Sequence, residues 1–192
     1  MDQNIKAFLR VLDASDNSTG GGTASSVAGA MAAGLTAMVA RLSIGKKDLS
    51  PRAYYEKIAS KAEKIVGRLF DGAREDAVAF DRVSSAYKLP KETDDDKASR
   101  SMEIQKAIVH AAEVPLSNAG YCKTVLDLCR QLEERFNTNA TSDLECAAYL
   151  AKAGLKGCLA NVRINLAYIK DEAVCREIKL KMELMMTGLD SI

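Results

Sequence analysis

Between Pro51 and Pro90 apolar residues return in steps of three and four, at Ile58, Ala62, Ile65, Leu69, Ala73, Phe80, Val83 and Tyr87. That is the period of one helix face, and no proline interrupts it. A helix of this extent would be roughly 58 Å long at 1.5 Å per residue. Its apolar stripe can be buried only by partners of similar length, so a chain of 192 residues must lay its helices side by side. The rest of the sequence agrees. Three prolines and 12 glycines are few breakers for this length, aromatic residues make up only 5%, and Trp is absent. Small side chains favour closely packed helices over a sheet. The expectation is an all-α bundle of long antiparallel helices, a single domain over residues 1–192.

Other helices are expected over residues 4–13, with Phe8, Leu9 and Leu12 on one side, and from Thr23 to Leu42. Small residues four apart at Gly29, Ala33 and Ala37 allow close backbone approach in the second of these. Ser50 is placed to cap the helix at Pro51, and Thr93 to cap one with Asp94, Asp95 and Asp96 in its first turn. That helix runs to about Phe136, with a kink or break at Pro115. Thr141 or Ser142 would cap a helix to Tyr168, and Asp171 starts a last one to Leu189.

Composition narrows the function. With 27 basic against 26 acidic residues there is no bulk field for nucleic acid, and 47% hydrophobic residues exclude disorder. The uncharged run Ala24 to Val39 is too rich in Ala, Gly, Ser and Thr to be read as a membrane span. The start of the chain lacks the basic-then-apolar order of a signal peptide. Five cysteines without a CxxC pair fit free thiols in a reducing cytoplasm, and one histidine, His110, cannot build a His-based metal site.

Three features carry chemistry. Positions 69, 73, 76, 80, 83 and 87 share a helix face, and only Asp76 among them is a carboxylate. Burial there would raise its pKa toward the range of a general acid or base, unless a neighbouring Arg or Lys pairs with it. Asp143, Asn161 and Asn165 share a face of their helix, with the small residues Ala147, Gly154 and Cys158 between them. This spacing fits a polar pocket, or equally a buried network setting helix register. Gly20, Gly21 and Gly22 precede a helix start, where backbone amides can hold an anion or a carbonyl oxygen; a plain loop is the alternative.

Several stretches, in order over residues 8–172, resemble the formiminotransferase-cyclodeaminase C-terminal family, which includes stand-alone methenyltetrahydrofolate cyclohydrolases. They are Thr19-Gly20-Gly21-Gly22-Thr23 entering an Ala-rich helix, Asp76-Ala77-Val78-Ala79-Phe80, Leu89-Pro90-Lys91-Glu92-Thr93 followed by Lys97 and Arg100, Val114-Pro115-Leu116, Ser142-Asp143, and Asn161-Val162 with Asn165-Leu166. Thr19 and Thr23 stand where the family pattern has Pro and Ser, and Phe136-Asn137 where it has Gly-Asn.

The resemblance implies a helical, homodimeric enzyme acting on one-carbon adducts of tetrahydrofolate, with no metal and no bound cofactor beyond the folate substrate. It implies Asp76 as general acid and base. Ser142, Asp143, Asn161 and Asn165 would hold the pterin ring edge. Gly20, Gly21, Gly22 and Thr23 would approach the one-carbon unit, and Lys46, Lys91 and Arg100 the glutamate tail. The chain stands alone, and Leu42-Ser43-Ile44-Gly45-Lys46-Lys47 resembles the cyclohydrolase branch. Opening of 5,10-methenyl-tetrahydrofolate to 10-formyl-tetrahydrofolate is therefore favoured over cyclodeaminase chemistry, which releases ammonia. A non-catalytic folate-binding or helical interaction protein is the other class.

Overall fold

The computed structural model describes residues 19–189. They form five α-helices: α1 (Gly21–Ser43), α2 (Arg52–Tyr87), α3 (Asp94–Leu132), α4 (Thr141–Leu166) and α5 (Glu172–Met186), with a short 3-10 turn at Thr138–Ala140. No strand occurs among the described residues. The helix expected over residues 4–13 lies outside them.

The first four helices run up and down around one core. Tyr54 and Tyr55, at the start of α2, donate their hydroxyls to the carbonyls of Gln131 (2.5 Å) and Arg135 (2.6 Å) at the end of α3. At the same end the Ser43 hydroxyl accepts the N–H of Asn137 at 2.9 Å, tying the end of α1 to the approach of α4. Leu69, Leu126, Leu132, Leu155 and Leu159 are wholly buried, and each contributes about 1.5–3 kcal/mol. The fifth helix packs on α3, and its Ile178 and Met182 are buried in the same core.

Small residues set how near α1 lies to its neighbours. A Cβ at Gly29 would overlap the Cys122 sulfur, and one at Gly154 would come within 2.8 Å of the Ser25 carbonyl oxygen. Although α1 is long and apolar enough to cross a membrane, it packs between α2 and α4, half of it buried.

Local chemistry explains most of the ends. Thr93 accepts the Asp96 N–H at 3.1 Å while the Asp96 carboxylate accepts the Thr93 N–H at 3.0 Å, a reciprocal cap. Asp171 accepts from the N–H groups of Ala173 and Val174. Three expectations are corrected. The glycine run is not a loop, because Gly20 is the extended cap and Gly21 and Gly22 are the first helical residues. Pro51 is itself the cap of α2 and Ser50 lies outside it. Neither Thr141 nor Ser142 caps α4, since the 3-10 turn leads directly into it from Ala140 and the Thr141 hydroxyl bonds back to the Thr138 carbonyl.

Pro115 also departs from expectation. It sits inside α3, which continues without a break from Asp94 to Leu132. Burial of Val114, Pro115 and Leu116 in the bundle holds the helix together across the missing N–H.

Candidate active site

The chemistry-bearing residues of α1, α2 and α4 meet at one end of the bundle. Antiparallel packing brings the start of α1 beside the last third of α2 and the end of α4. A cavity of about 520 Å³ opens there, lined by Gly20, Gly21 and Gly22 from α1 and its cap, Asp76, Phe80, Val83 and Tyr87 from α2, Ile108 and Ala111 from α3, and Asn161, Ile164, Asn165 and Tyr168 from α4 and its end. Its size suits a small organic ligand.

Among the described residues Asp76 is the one charged group lining it, with Tyr87 and Tyr168 the other ionisable ones. Asn161 donates its amide to Asp76 Oδ1 at 3.1 Å, and the Thr23 hydroxyl lies 3.4 Å from Oδ2. Burial raises the Asp76 pKa above the ordinary 3.8, and hydrogen bonds from the Thr23 side chain and backbone pull partly against it. Burial disfavours the charged form more than these two donors favour it. Among the described residues no lysine or arginine pairs with the carboxylate, which they leave without the ion pair that the sequence offered as the alternative.

Gly22 is pressed against this group. A Cβ there would overlap the Asn161 amide nitrogen and both carboxylate oxygens of Asp76, whereas one at Gly20 or Gly21 would meet nothing within 4 Å among the described residues. Behind Gly22 runs a buried polar relay that sequence reading missed. Asn118 of α3 donates to the Ser26 hydroxyl at 2.9 Å, and Ser26 donates to the Gly22 carbonyl at 3.0 Å. Asn118 occupies a notch left by Gly72, one turn before Asp76 on α2. The signal available in the sequence was Asn118 within an otherwise apolar helical stripe.

The rim is apolar and unsatisfied by the fold. Phe80 is 47% exposed, Tyr87 49%, Tyr168 61% and Ile164 64%. Aromatic and branched side chains at this exposure offer faces for a flat ligand. A polar floor under an apolar rim distinguishes this cavity from a larger one of about 990 Å³ between α2, α3 and the start of α5. That groove mixes Asp81, Glu103, Glu113 and Asp171 with Arg82, Lys106 and His110 and converges on no single group. Among the described residues no cluster of three or more His, Cys, Asp or Glu is placed to hold a metal ion.

A profile described as "Formiminotransferase-cyclodeaminase" matches residues 4–184. The chain belongs to the formiminotransferase-cyclodeaminase family. It is 37% identical over 183 residues to the methenyltetrahydrofolate cyclohydrolase of Methylorubrum extorquens, covering 95% of this chain and 88% of that one. It is 27% identical over 179 residues to the formimidoyltransferase-cyclodeaminase of Rattus norvegicus, covering 90% of this chain and 32% of that protein. The crystal structure of formiminotetrahydrofolate cyclodeaminase from Thermotoga maritima superimposes with a TM-score of 0.87 at 30% identity, covering 100% of this chain and 91% of that one.

Not every residue that the family resemblance singled out reaches the cavity. Asp76, Gly20, Gly21, Gly22, Asn161 and Asn165 line it. Thr23 backs Asp76 from below. Arg100 stands beside it, because its guanidinium donates to the Tyr87 carbonyl at 3.0 and 3.3 Å and lies 5.7 Å from the Tyr87 ring centroid. Lys91 is exposed in the turn before α3, outside the lining. Ser142 and Asp143 are at the opposite end of the bundle: the 18 residues from Asp143 to Asn161 span roughly 27 Å of helix. Asp143 therefore does not share a pocket with Asn161 and Asn165 within one chain. Lys46 lies at that far end too, in the connector after α1, where Gly45 takes a φ of +74° that favours glycine.

Proposed function

We propose that this protein is a methenyltetrahydrofolate cyclohydrolase in which Asp76 moves the protons. The observation that carries the reading is Asp76 itself, among the described residues the one charged group lining a ligand-sized cavity, held there by Asn161 and Thr23 with no counter-ion. The 37% identity to a cyclohydrolase of nearly equal length supports the choice of reaction.

The pterin ring would lie between the exposed faces of Phe80, Tyr87, Ile164 and Tyr168, with its polar edge on Asn161 and Asn165. Ionised Asp76 takes a proton from water as the oxygen adds to the methenyl carbon. The carbon becomes tetrahedral, bonded to N5, N10 and a hydroxyl. Asp76 then returns a proton to N5, the C–N5 bond breaks, the hydroxyl proton leaves to solvent, and the formyl group remains on N10. One carboxyl group serves as base and then acid, and burial, which raises its pKa above the ordinary value, strengthens it as the base. The folate is the substrate, and the scheme calls for no metal or further cofactor.

The structural likeness to a cyclodeaminase favours a second reading. There N10 attacks a formimino carbon and Asp76 protonates the departing nitrogen as ammonia. A homodimer is part of the proposal, supported by the outward face of α1, where Met31, Met38 and Leu42 are exposed. A reducing cytoplasmic setting is supported by five free thiols. The deciding experiment follows methenyl absorbance. Catalysed loss from 5,10-methenyl-tetrahydrofolate is the expected result. Catalysed gain from 5-formimino-tetrahydrofolate with ammonia release would put the second reading first. A folded protein silent in both assays would be a folate-binding or interaction module.

A further inference from the structure

Proline is among the most unfavourable residues in a helix interior, yet Pro115 lies within α3 without ending it. Having no N–H, it leaves the carbonyl of Ala111, one turn earlier, without its helical donor. Ala111 lines the cavity. Its carbonyl oxygen accepts instead from the Asn165 side-chain amide of α4, at 2.8 Å. The same amide nitrogen lies 3.2 Å from the Asn161 carbonyl oxygen. Carbonyl oxygens only accept, so the NH2 end of Asn165 must face them, and both of its hydrogens are committed. The side-chain oxygen is then the polar atom Asn165 has left for a ligand, and it too can only accept.

We infer that Pro115 is a positioning residue: by stripping the Ala111 carbonyl of its helical partner it creates the acceptor that orients Asn165, so that the cavity presents the Asn165 oxygen to an N–H donor of the ligand. The inference deepens the proposed function and rests on it, the donor then being an N–H of the reduced pterin ring. Asn161 differs in kind, because it donates to Asp76.

The test is Pro115→Ala, which returns an N–H to the Ala111 carbonyl. The melting temperature should rise. The KM for 5,10-methenyl-tetrahydrofolate should rise about five- to tenfold, the effect of one weakened hydrogen bond, with kcat held within about twofold. In 15N spectra the Asn165 side-chain amide should shift and exchange its hydrogens faster. Asn165→Leu should reproduce the KM rise, and the double variant should be no worse than either single one. A Pro115→Ala protein with unchanged KM and an unmoved Asn165 amide, or additive effects in the double variant, would overturn the inference. If the wild type turns over no folate, the proposed function fails by itself, and the amide spectrum still decides whether Pro115 orients Asn165.

Discussion

Gly22 and Asp76 stand on different helices, and Gly22 leaves no room for a side chain beside the Asp76 carboxylate. The glycine is needed for contact rather than for backbone freedom, since it lies in the first turn of α1. Any side chain at position 22 must push the start of α1 away from α2 and α4, drawing Thr23 off the Asp76 carboxylate, or displace the Asn161 amide that donates to it.

Gly22→Ala should therefore lower kcat by about 100-fold or more, on the scale of losing a positioned acid–base group. The comparison is Gly67→Ala, in the same helix as Asp76 but exposed, where the added Cβ meets nothing within 4 Å among the described residues. That change should stabilise α2 by about 0.5–1 kcal/mol and leave turnover alone. Steady-state rates and thermal melts on the two variants check both halves.

Asp76→Asn should abolish most turnover, with a loss of about 10²- to 10⁴-fold, without weakening the fold. A buried carboxylate with a raised pKa binds its proton more tightly folded than unfolded. Its favourable contribution is complete below 3.8 and is lost as pH rises through the folded value. At pH 8 the variant should melt at or above the wild-type temperature, and that advantage should vanish as pH falls toward 3.8. In the wild type, kcat should rise with pH through a limb lying above 3.8, because the base must be ionised. A limb at or below that value, or a variant much less stable at pH 8, would remove Asp76 from the role.

The helices of the described residues were legible in the sequence because their apolar periods are long and few breakers intervene, and Thr93 and Asp171 marked two starts by known cap chemistry. Asp76 was legible for the same reason, as a carboxylate on an apolar stripe. Pro115 was not, because burial by neighbouring helices, which no local pattern records, decides whether a proline breaks a helix. Asp143 was grouped with Asn161 because periodicity reports the face of a helix and says nothing of the distance along it. Asn118 escaped notice because its partners, Ser26 and Gly72, are far apart in sequence and meet only through packing.

Arg100 tests the rim. Its guanidinium is fixed on the Tyr87 carbonyl and near the ring, so Arg100→Met should release that side of the cavity and remove a cation from its mouth. The KM for a substrate carrying a glutamate tail should rise about three- to tenfold, the effect expected of one lost cation contact, with kcat little changed. A pterin lacking the tail should show a smaller rise. Equal rises for both ligands would mean that Arg100 acts only by holding Tyr87, and no rise would exclude it from recognition.

The last relationship is between Gly72 and Asn118. Asn118 is 2% exposed and its amide fills the space that a Cβ at position 72 would occupy. Gly72→Ala should cost about 1–3 kcal/mol, the range for overpacking a filled core, because the displaced amide also loses its bond to Ser26. Shortening the partner should undo the damage. The double variant Gly72→Ala with Asn118→Ser keeps a hydroxyl near Ser26 and frees the notch, so it should recover at least half of the lost stability. Urea unfolding of the two single variants and the double variant gives the coupling directly. Simple additivity would show that the notch and the amide do not meet in solution as they do in the structure. Strong coupling with recovered turnover would tie the packing beneath Gly22 to the state of Asp76 above it.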